Sequence, residues 1–328
     1  MRRIIKKYLS QLLRYDKINE YWQWQIQQKT DEAYKKGTSE GYQNGVAEGY
    51  AKGMTEGLEK SLSEEAIKQR LKLIYELLKS DSLNLNKLDD NIASSNEKQV
   101  LHLYNIHKNS RCFIIGNGPS VRLEDLEALQ NEITFCCNKF YLAYPTIKFR
   151  PTYTVAADDQ VLQDFGKEII ERSESTVLIS THDGIKLGDG KYIKFNRIEK
   201  SDPEFSYNIL SALPSMGSVV ICALQCAYFM GFQEVYLYGI DHNFKVILNP
   251  DEANVWRQAV NEGNHFIPNY RQGSSWAPPW IELMEKGFHL CKDVFEKDGR
   301  RIVNSTRGGK LDIFDRMDFD LIQMNLKN

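Results

Sequence analysis

The chain has 328 residues, of which 42% are hydrophobic and 26% charged, and its formal net charge is −2. This composition predicts a soluble globular protein and argues against a general nucleic-acid-binding role, which needs a basic surface. The six cysteines form no Cys-x-x-Cys pair and mostly lie in apolar runs. We therefore expect reduced thiols, no metal site and a cytoplasmic protein. No secretory signal or transmembrane helix is predicted.

The first 17 residues predict a basic amphipathic helix. Six basic residues accompany one apolar helical face, which consists of Ile5, Leu9, Leu12 and Leu13. Such a helix could lie on an anionic surface at the inner face of the membrane. It could equally pack on its own protein with its lysines in water, and the pattern leaves both interpretations open.

Six glycines then recur at four-residue intervals, at positions 37, 41, 45, 49, 53 and 57. Relative to alanine they would cost an isolated helix about 5 kcal/mol, so a helix here needs a closely packed partner. A stripe of small residues permits that approach. The tract resembles the glycine-repeat helix of the flagellar export regulator protein, which self-associates. We expect residues 1–62 to form a homo-oligomer through helices, with a mobile spacer as the alternative.

Residues 63–110 predict a helical linker, and from Arg111 onward apolar strands alternate with helices. A short helix is predicted at 97–105. The predicted strands are 112–115, 133–137, 153–157, 176–180, 192–195, 234–239 and 301–304, and the predicted helices are 123–129, 161–171, 216–231 and 279–297. Residues 111–328 therefore predict an α/β domain with a Rossmann-like, doubly wound, mostly parallel sheet and a helical N-terminal extension.

Polar residues follow several of these strands, where parallel α/β sheets bind ligands. The first strand ends in Gly116-Asn117-Gly118-Pro119-Ser120, and later strands end at Asn138, at Asp158 and at Asp241-His242. The glycines allow backbone close to a ligand, and the next helix N-terminus attracts phosphate. We expect a nucleotide site here. G-x-G-x-x-G and G-K-[ST] do not occur, which disfavours a dinucleotide fold and a P-loop.

The segment from Cys112 to Asp318 resembles the 6-hydroxymethylpterin diphosphokinase MptE-like family. The resemblance rests on CFIIGNGPS at 112–120, ITFCCNKFYL at 133–142, the run 215–242, NHF at 264–266 and the run 304–320. That family is similar to bacterial CMP-dependent sialyltransferases and to motility-associated flagellin glycosylation factors. The sialyltransferases share G-N-G-P-S, a C-N-x-F strand end and a helix–strand run that ends here in Gly239-Ile240-Asp241.

The resemblance implies transfer of an acidic, sialic-acid-like sugar from a CMP-activated donor to a glycan or protein acceptor, as in bacterial surface polysaccharides, without a metal. Asn117 and Asn138 would contact the nucleotide and its donor sugar. The turn Ser215, Gly217 and Ser218 would line the donor pocket.

Further residues are candidates for the chemistry itself. Tyr270 and Arg307 could hold the phosphate or the sugar carboxylate. We expect His265 to be the general base, with His242 beside Asp241 as the alternative, because histidine accepts protons near neutral pH. The position where the sialyltransferases keep their base holds Asn269, and an amide cannot take that role.

Two other functions stay open. An ATP-dependent diphosphokinase would bind Mg²⁺ through Asp158, Asp159 and Asp241. The chain lacks the D-G-A and T-D-L-D-G patterns of the archaeal enzymes, which disfavours this hypothesis. A non-catalytic nucleotide-binding protein that serves assembly is the other alternative.

Overall fold

The computed structural model describes residues 95–182, 184–187, 189–197, 204–207, 209, 212–244, 257–258, 263–270, 275–276 and 279–326. All of them lie in one compact unit that begins at Ser95. The predicted amphipathic helix, the glycine tract and most of the predicted linker lie outside the described residues.

Eight parallel strands form a single sheet. They are β1 (Arg111–Ile115), β2 (Thr134–Cys137), β3 (Tyr153–Ala156), β4 (Thr176–Thr181), β5 (Ile193–Asn196), β6 (Glu234–Tyr238), β9 (Arg301–Asn304) and β10 (Asp315–Arg316). Their order is β10-β9-β6-β1-β2-β3-β4-β5. A separate antiparallel pair consists of β7 (Arg257–Gln258) and β8 (Ser275–Trp276).

The helices are α1 (Ser95–His102), α2 (Leu123–Ala128), α3 (Asp159–Arg172), α4 (Val219–Phe229), α5 (Ile281–Lys297) and α6 (Phe319–Leu326), with a 3-10 turn at Phe140–Ala143. The predicted Rossmann-like fold is confirmed, and the predicted strands agree with the observed bounds to within one residue at each end. The 3-10 turn, β7, β8, β10 and α6 were not predicted.

Both faces of the sheet are covered, as a parallel sheet requires. In β1, Cys112 and Ile114 point into the core that contains α4 and α5, whereas Phe113 and Ile115 point into the core on the other face. This alternation follows from the two-residue period of a strand. Because both faces are buried, β1 is apolar throughout its interior and reads as a continuous hydrophobic run.

Helix α4 is buried on almost its whole surface, since all its residues from Val220 to Phe229 are buried. A Cβ atom added to Gly287 of α5 would lie 2.5 Å from Ile221 Cδ1, so this glycine lets the two helices approach closely. An apolar helix of this length is a core helix. No helix among the described residues is long and apolar enough to cross a membrane.

Candidate active site at the carboxyl edge of the sheet

The order of the strands creates a switch point beside β1. From β1 the chain proceeds through β2, β3, β4 and β5 in one direction, and then returns to place β6 on the other side of β1. In open α/β sheets, ligands bind at the carboxyl ends of the strands that flank such a reversal. The loops that follow β1 and β6 are residues 116–120 and 239–242, which include the residues predicted from the sequence.

These two loops pack directly against each other. A Cβ atom on Gly116 would lie 2.4 Å from Gly239 O, and one on Gly118 would lie 1.9 Å from Asp241 Oδ2 and 2.7 Å from Gly239 O. Both glycines are therefore required by contact between the loops. This packing role is an additional reason for glycine at both positions, and the expectation that they open the backbone to a ligand stays a prediction.

The Asp241 side chain packs against the first loop, residues 116–120. Its Oδ2 accepts hydrogen bonds from Ser120 Oγ at 2.8 Å and from the Ser120 N–H at 3.4 Å, and its backbone oxygen accepts from the Lys310 N–H at 2.7 Å. Burial raises the pKa of the Asp241 carboxyl, although the bonds from Ser120 act in the opposite direction. The helix that follows Pro119 and Ser120, α2, has six residues.

Asn117 connects three segments beside this loop. Its Nδ2 donates to Cys137 O at 2.9 Å, at the end of β2, and to the Tyr270 hydroxyl at 3.1 Å. The same hydroxyl accepts from the Lys139 N–H at 3.2 Å. The His265 ring stacks on the Tyr270 ring, with 4.1 Å between centroids and 14° between planes. The structure therefore brings together Asn117, Tyr270 and His265, which are distant in sequence.

Two amide oxygens in this region are buried and accept no hydrogen bond within the described part of the chain. They belong to Asn117 and to Asn138, the residue after Cys137. Asn138 has φ of 52°, a left-handed conformation that asparagine tolerates. A buried acceptor without a donor costs about 1–3 kcal/mol, and a ligand is one explanation for retaining it. We call Asn117, Asn138 and Tyr270 the amide cluster.

A buried cation lies next to the amide cluster. Lys139 is 4% exposed, and its ammonium group lies 3.6 Å from the centre of the Phe165 ring and 5.1 Å from that of Tyr270. The aromatic faces stabilise the charge. Phe165 belongs to α3, so Lys139 connects the end of β2 to that helix.

The sequence analysis missed an ionic cluster around Asp159, the first residue of α3. Its Oδ1 accepts from Thr181 Oγ1 at 2.9 Å, and its Oδ2 lies 2.7 Å from His182 Nδ1 and 2.9 Å from Arg197 Nη2. The preceding residue, Asp158, accepts from the Val161 N–H at 3.0 Å and caps α3. Asp158 is exposed, and the structure shows it in this capping role.

His242 has a different environment. Its Nε2 lies 3.2 Å from Glu285 Oε1, its side chain is 5% exposed, and its Nδ1 is buried without a hydrogen bond from any described residue. The ring contacts Phe244 and Phe288 edge to face. Its backbone φ is 49°, at the turn that leaves β6.

The predicted donor-pocket turn precedes α4. The Ser218 N–H donates to Ser215 O at 2.9 Å, and Ser218 Oγ accepts from the Val220 N–H at 3.3 Å, so Ser218 caps the helix. Gly217 has φ of 77°, and a Cβ there would lie 3.1 Å from Met284 Cγ. Because α4 leads back to the start of β6, its N-terminus and this turn lie at the carboxyl edge of the sheet.

Arg307 takes part in an ionic network with Asp125 and Asp320. Its guanidinium binds Asp125 through two hydrogen bonds, of 2.6 Å and 3.1 Å, and also binds Asp320. Tyr238 OH donates to Asp125 as well. These carboxylates raise the pKa of Arg307. The network gives Arg307 a structural role, and its expected role in binding a ligand anion stays a prediction.

All six cysteines fall within the described residues, where they are buried and form no disulfide. Burial raises the pKa of the Cys137 thiol to about 12, so this group is a poor nucleophile. The described residues contain no group of three or more His, Cys, Asp or Glu side chains arranged to hold a metal ion.

Residues 85–246 match the family described as 6-hydroxymethylpterin diphosphokinase MptE-like. The matched segment contains β1 to β6 with both loops of the switch point. None of the curated proteins compared with the chain matches it.

Several solved structures are similar to the chain at low identity. A MAf glycosyltransferase from Magnetospirillum magneticum AMB-1 has 14% identity and a TM-score of 0.42, and the match covers 68% of this chain and 38% of that protein. The sialyltransferase CstII from Campylobacter jejuni, in complex with the substrate analogue CMP-3FNeuAc, has 13% identity, a TM-score of 0.36 and coverages of 63% and 86%. A mammalian sialyltransferase, in complex with Gal-β-1-3GalNAc-ortho-nitrophenol, has 12% identity, a TM-score of 0.31 and coverages of 76% and 87%.

The chain thus spans well under half of the MAf protein, and likeness at this level does not define an activity. The family match does not depend on these solved structures, and it covers the motifs at 112–120, 133–142 and 215–242. Residues 85–246, just under half of the chain, are thus similar to the 6-hydroxymethylpterin diphosphokinase MptE-like family.

Proposed function

We propose that this protein is a glycosyltransferase that takes an acidic sugar from a CMP-activated donor. The observation that carries the proposal is the amide cluster, in which two buried amide oxygens beside the switch point accept no hydrogen bond from any residue that the structure describes. Ribose and sugar hydroxyls and the cytosine amino group are donors that would satisfy them. We propose CMP and not another nucleotide because the motifs at 116–120 and 137–140 are shared with CMP-dependent sialyltransferases.

The chemistry requires few groups. An acceptor hydroxyl oxygen forms a bond to the anomeric carbon, the bond from that carbon to the phosphate oxygen breaks, and its electron pair leaves with CMP. The buried Lys139 ammonium and the Tyr270 hydroxyl lie where they could stabilise the phosphate or the sugar carboxylate. A base must take the hydroxyl proton, and His265 and His242 are the candidates that the sequence supplies.

The diphosphokinase alternative places Mg²⁺ on Asp158, Asp159 and Asp241. Asp158 follows β3 and Asp241 follows β6, and two strands lie between them. With strands spaced at about 4.8 Å, their ends are about 14 Å apart, which is too far for one ion. Asp159 already binds Arg197, and Asp241 binds Ser120. This geometry favours the glycosyltransferase.

Isothermal titration with CMP, UMP, AMP and ATP, each with MgCl₂ or with EDTA, tests the proposal. We expect CMP to bind best and to bind in EDTA. Binding of ATP that requires Mg²⁺, without binding of CMP, would favour the diphosphokinase. Binding of CMP without release of CMP from any sialic-acid donor would favour a non-catalytic role in assembly.

Asn138→Gly is the sharpest variant, because glycine tolerates the left-handed backbone and removes the side chain that carries the amide. Asn117 is less suitable, since its Nδ2 also ties three segments together. Loss of a ligand hydrogen bond should weaken CMP binding about 10-fold or more. The matched control is Asn109→Gly, at an exposed residue with φ of 63° ahead of β1. Equal CMP affinity in both variants would contradict the proposed site.

A further inference from the structure

The cluster around Asp159 has the arrangement of an oriented proton acceptor. Asp159 Oδ2 accepts a hydrogen bond from Arg197 Nη2, and Asp159 Oδ1 accepts one from Thr181 Oγ1. The carboxylate is therefore the acceptor in both bonds. The contact with His182 at 2.7 Å therefore requires the proton on Nδ1. When the imidazole is neutral, its lone pair is then on Nε2. A carboxylate that fixes the tautomer of a histidine in this way prepares it for general-base catalysis.

The other two histidines at this edge are held differently. The nitrogen of His242 that does not contact Glu285 is Nδ1, and it is buried. An acceptor hydroxyl could reach it only after a rearrangement. His265 lies flat on the Tyr270 ring, and this stacking places it beside the amide cluster. The His182 side chain, in contrast, is 42% exposed.

The position of His182 also suits this role. It follows the carboxyl end of β4, whereas Asn138 follows that of β2, and β3 lies between them. The two strand axes are about 10 Å apart. Lys139 and Phe165 join the two sides, because Phe165 lies in the helix that Asp159 begins. Along the carboxyl edge of the sheet, His182 therefore lies on one side of a sugar held by the amide cluster, and the loops after β1 and β6 lie on the other side.

We propose that His182 is the general base of the transfer reaction and that Asp159 is its positioning residue. This inference rests on the proposed glycosyltransferase function. The acceptor oxygen forms the bond to the anomeric carbon, CMP leaves with the electron pair of the broken bond, and the acceptor proton passes to His182 Nε2. His265 then has a position beside the leaving phosphate, through its stacking on Tyr270.

Release of CMP from CMP-N-acetylneuraminate, with water as acceptor, measures the step without knowledge of the natural acceptor. We expect His182→Gln to lower kcat by about 100-fold or more, the usual contribution of a general base, with KM changed little. Asp159→Asn should lower kcat less and alter the pH–rate profile, which a purely structural role would leave unchanged. The control is His289→Gln, at an exposed histidine of α5, which should keep full activity.

A second measurement does not depend on turnover. Diethyl pyrocarbonate modifies accessible, neutral imidazoles, and mass spectrometry locates the modified histidines. We expect CMP-N-acetylneuraminate to slow the modification of His182 several-fold and to leave that of His289 unchanged.

The outcomes separate the two proposals. If CMP does not bind, the proposed function fails and the inference fails with it. If CMP binds but His182→Gln keeps near-full turnover, or the donor gives His182 no protection, the inference alone is overturned. Loss of activity in His265→Gln, with His182→Gln active, would return the role to His265. A wild-type protein that binds CMP and releases none from the donor would also overturn a base role.

Discussion

Asp241 joins three loops at the carboxyl edge, through Ser120 on one side and Lys310 on the other. The packing that excludes water from these loops also raises the pKa of its carboxyl. An acid whose pKa is raised in the folded state favours folding while it is protonated, and this contribution is lost as the pH rises through the folded-state pKa. At neutral pH the charge on Asp241 therefore costs stability.

Asp241→Asn should be more stable than the wild type at neutral pH, because asparagine keeps an oxygen that accepts from Ser120 and carries no charge. The difference should shrink as the pH falls below about 4, where a carboxyl is protonated. Urea denaturation at pH 7 and at pH 4 measures both values. Lower stability of the variant at pH 7 would contradict the desolvation argument. Full CMP release by the same variant would argue against Asp241 as a catalytic residue.

The sequence predicts single site residues where a recognisable motif falls at the end of a predicted strand. Asn117 and Asn138 are such residues, and the structure joins Asn117 to the predicted Tyr270. The cluster of Asp159, His182 and Arg197 escaped prediction because its members follow three different strands and become neighbours only in the folded sheet. Asp159 was expected only as a Mg²⁺ ligand of the diphosphokinase alternative. The turn Thr181-His182 at a strand end was the available signal, and it is indistinguishable from an ordinary turn in the sequence.

Among the elements, the strands were easier to predict than the starts of the helices. The prediction began α4 at residue 216, whereas the helix begins at Val219. Met216 and Gly217 have φ of 45° and 77°, which a right-handed helix does not allow, and Ser218 caps the helix instead. A run of apolar residues gives no indication of such a turn. Strand β10 was not predicted because it has two residues, which are too few to show a periodic pattern.

The glycine loop after β1 provides a prediction at the level of elements. Gly118→Ala should destabilise the protein by about 1–3 kcal/mol, the usual cost of overpacking, because its Cβ would meet Gly239 O and Asp241 Oδ2. Gly166→Ala in α3 is the matched control. Its Cβ would lie 3.3 Å from a flexible leucine methyl, and alanine favours the helix. Thermal unfolding of both variants checks this, and equal stability would mean that the two loops can separate without cost.

At the level of the whole molecule, the sequence predicts parallel strands but not their order. Alternation of strands and helices requires crossovers, yet nothing in the apolar pattern says that β6 lies beside β1. That neighbourhood depends on contacts between residues far apart in the chain. Residues that follow the strands could therefore be placed on one edge of the sheet by prediction, but the distances between them could not.

Self-association through residues 1–62 stays a prediction, since these residues lie outside the described part of the chain. Gly45→Leu with Gly49→Leu, in the full chain, should lower the sedimentation mass, because bulky side chains would block close helix packing even though leucine favours helices. Binding of the full chain to anionic vesicles tests the alternative role of the basic segment. An unchanged mass in the double variant would contradict glycine-mediated assembly.

The position of β1 has a consequence for folding during synthesis. One side of β1 pairs with β2, which the ribosome makes soon afterwards, but the other side pairs with β6, which is made after β5. Until then the most central strand exposes a row of unpaired backbone groups and apolar side chains, and such an edge recruits other chains. A translation pause between β5 and β6 would thus leave this edge of β1 exposed on a nearly complete half-sheet. The arrival of β6 would cover the edge of β1 as it completes the site, and the exposed edge would then be that of β6 until β9 pairs with it.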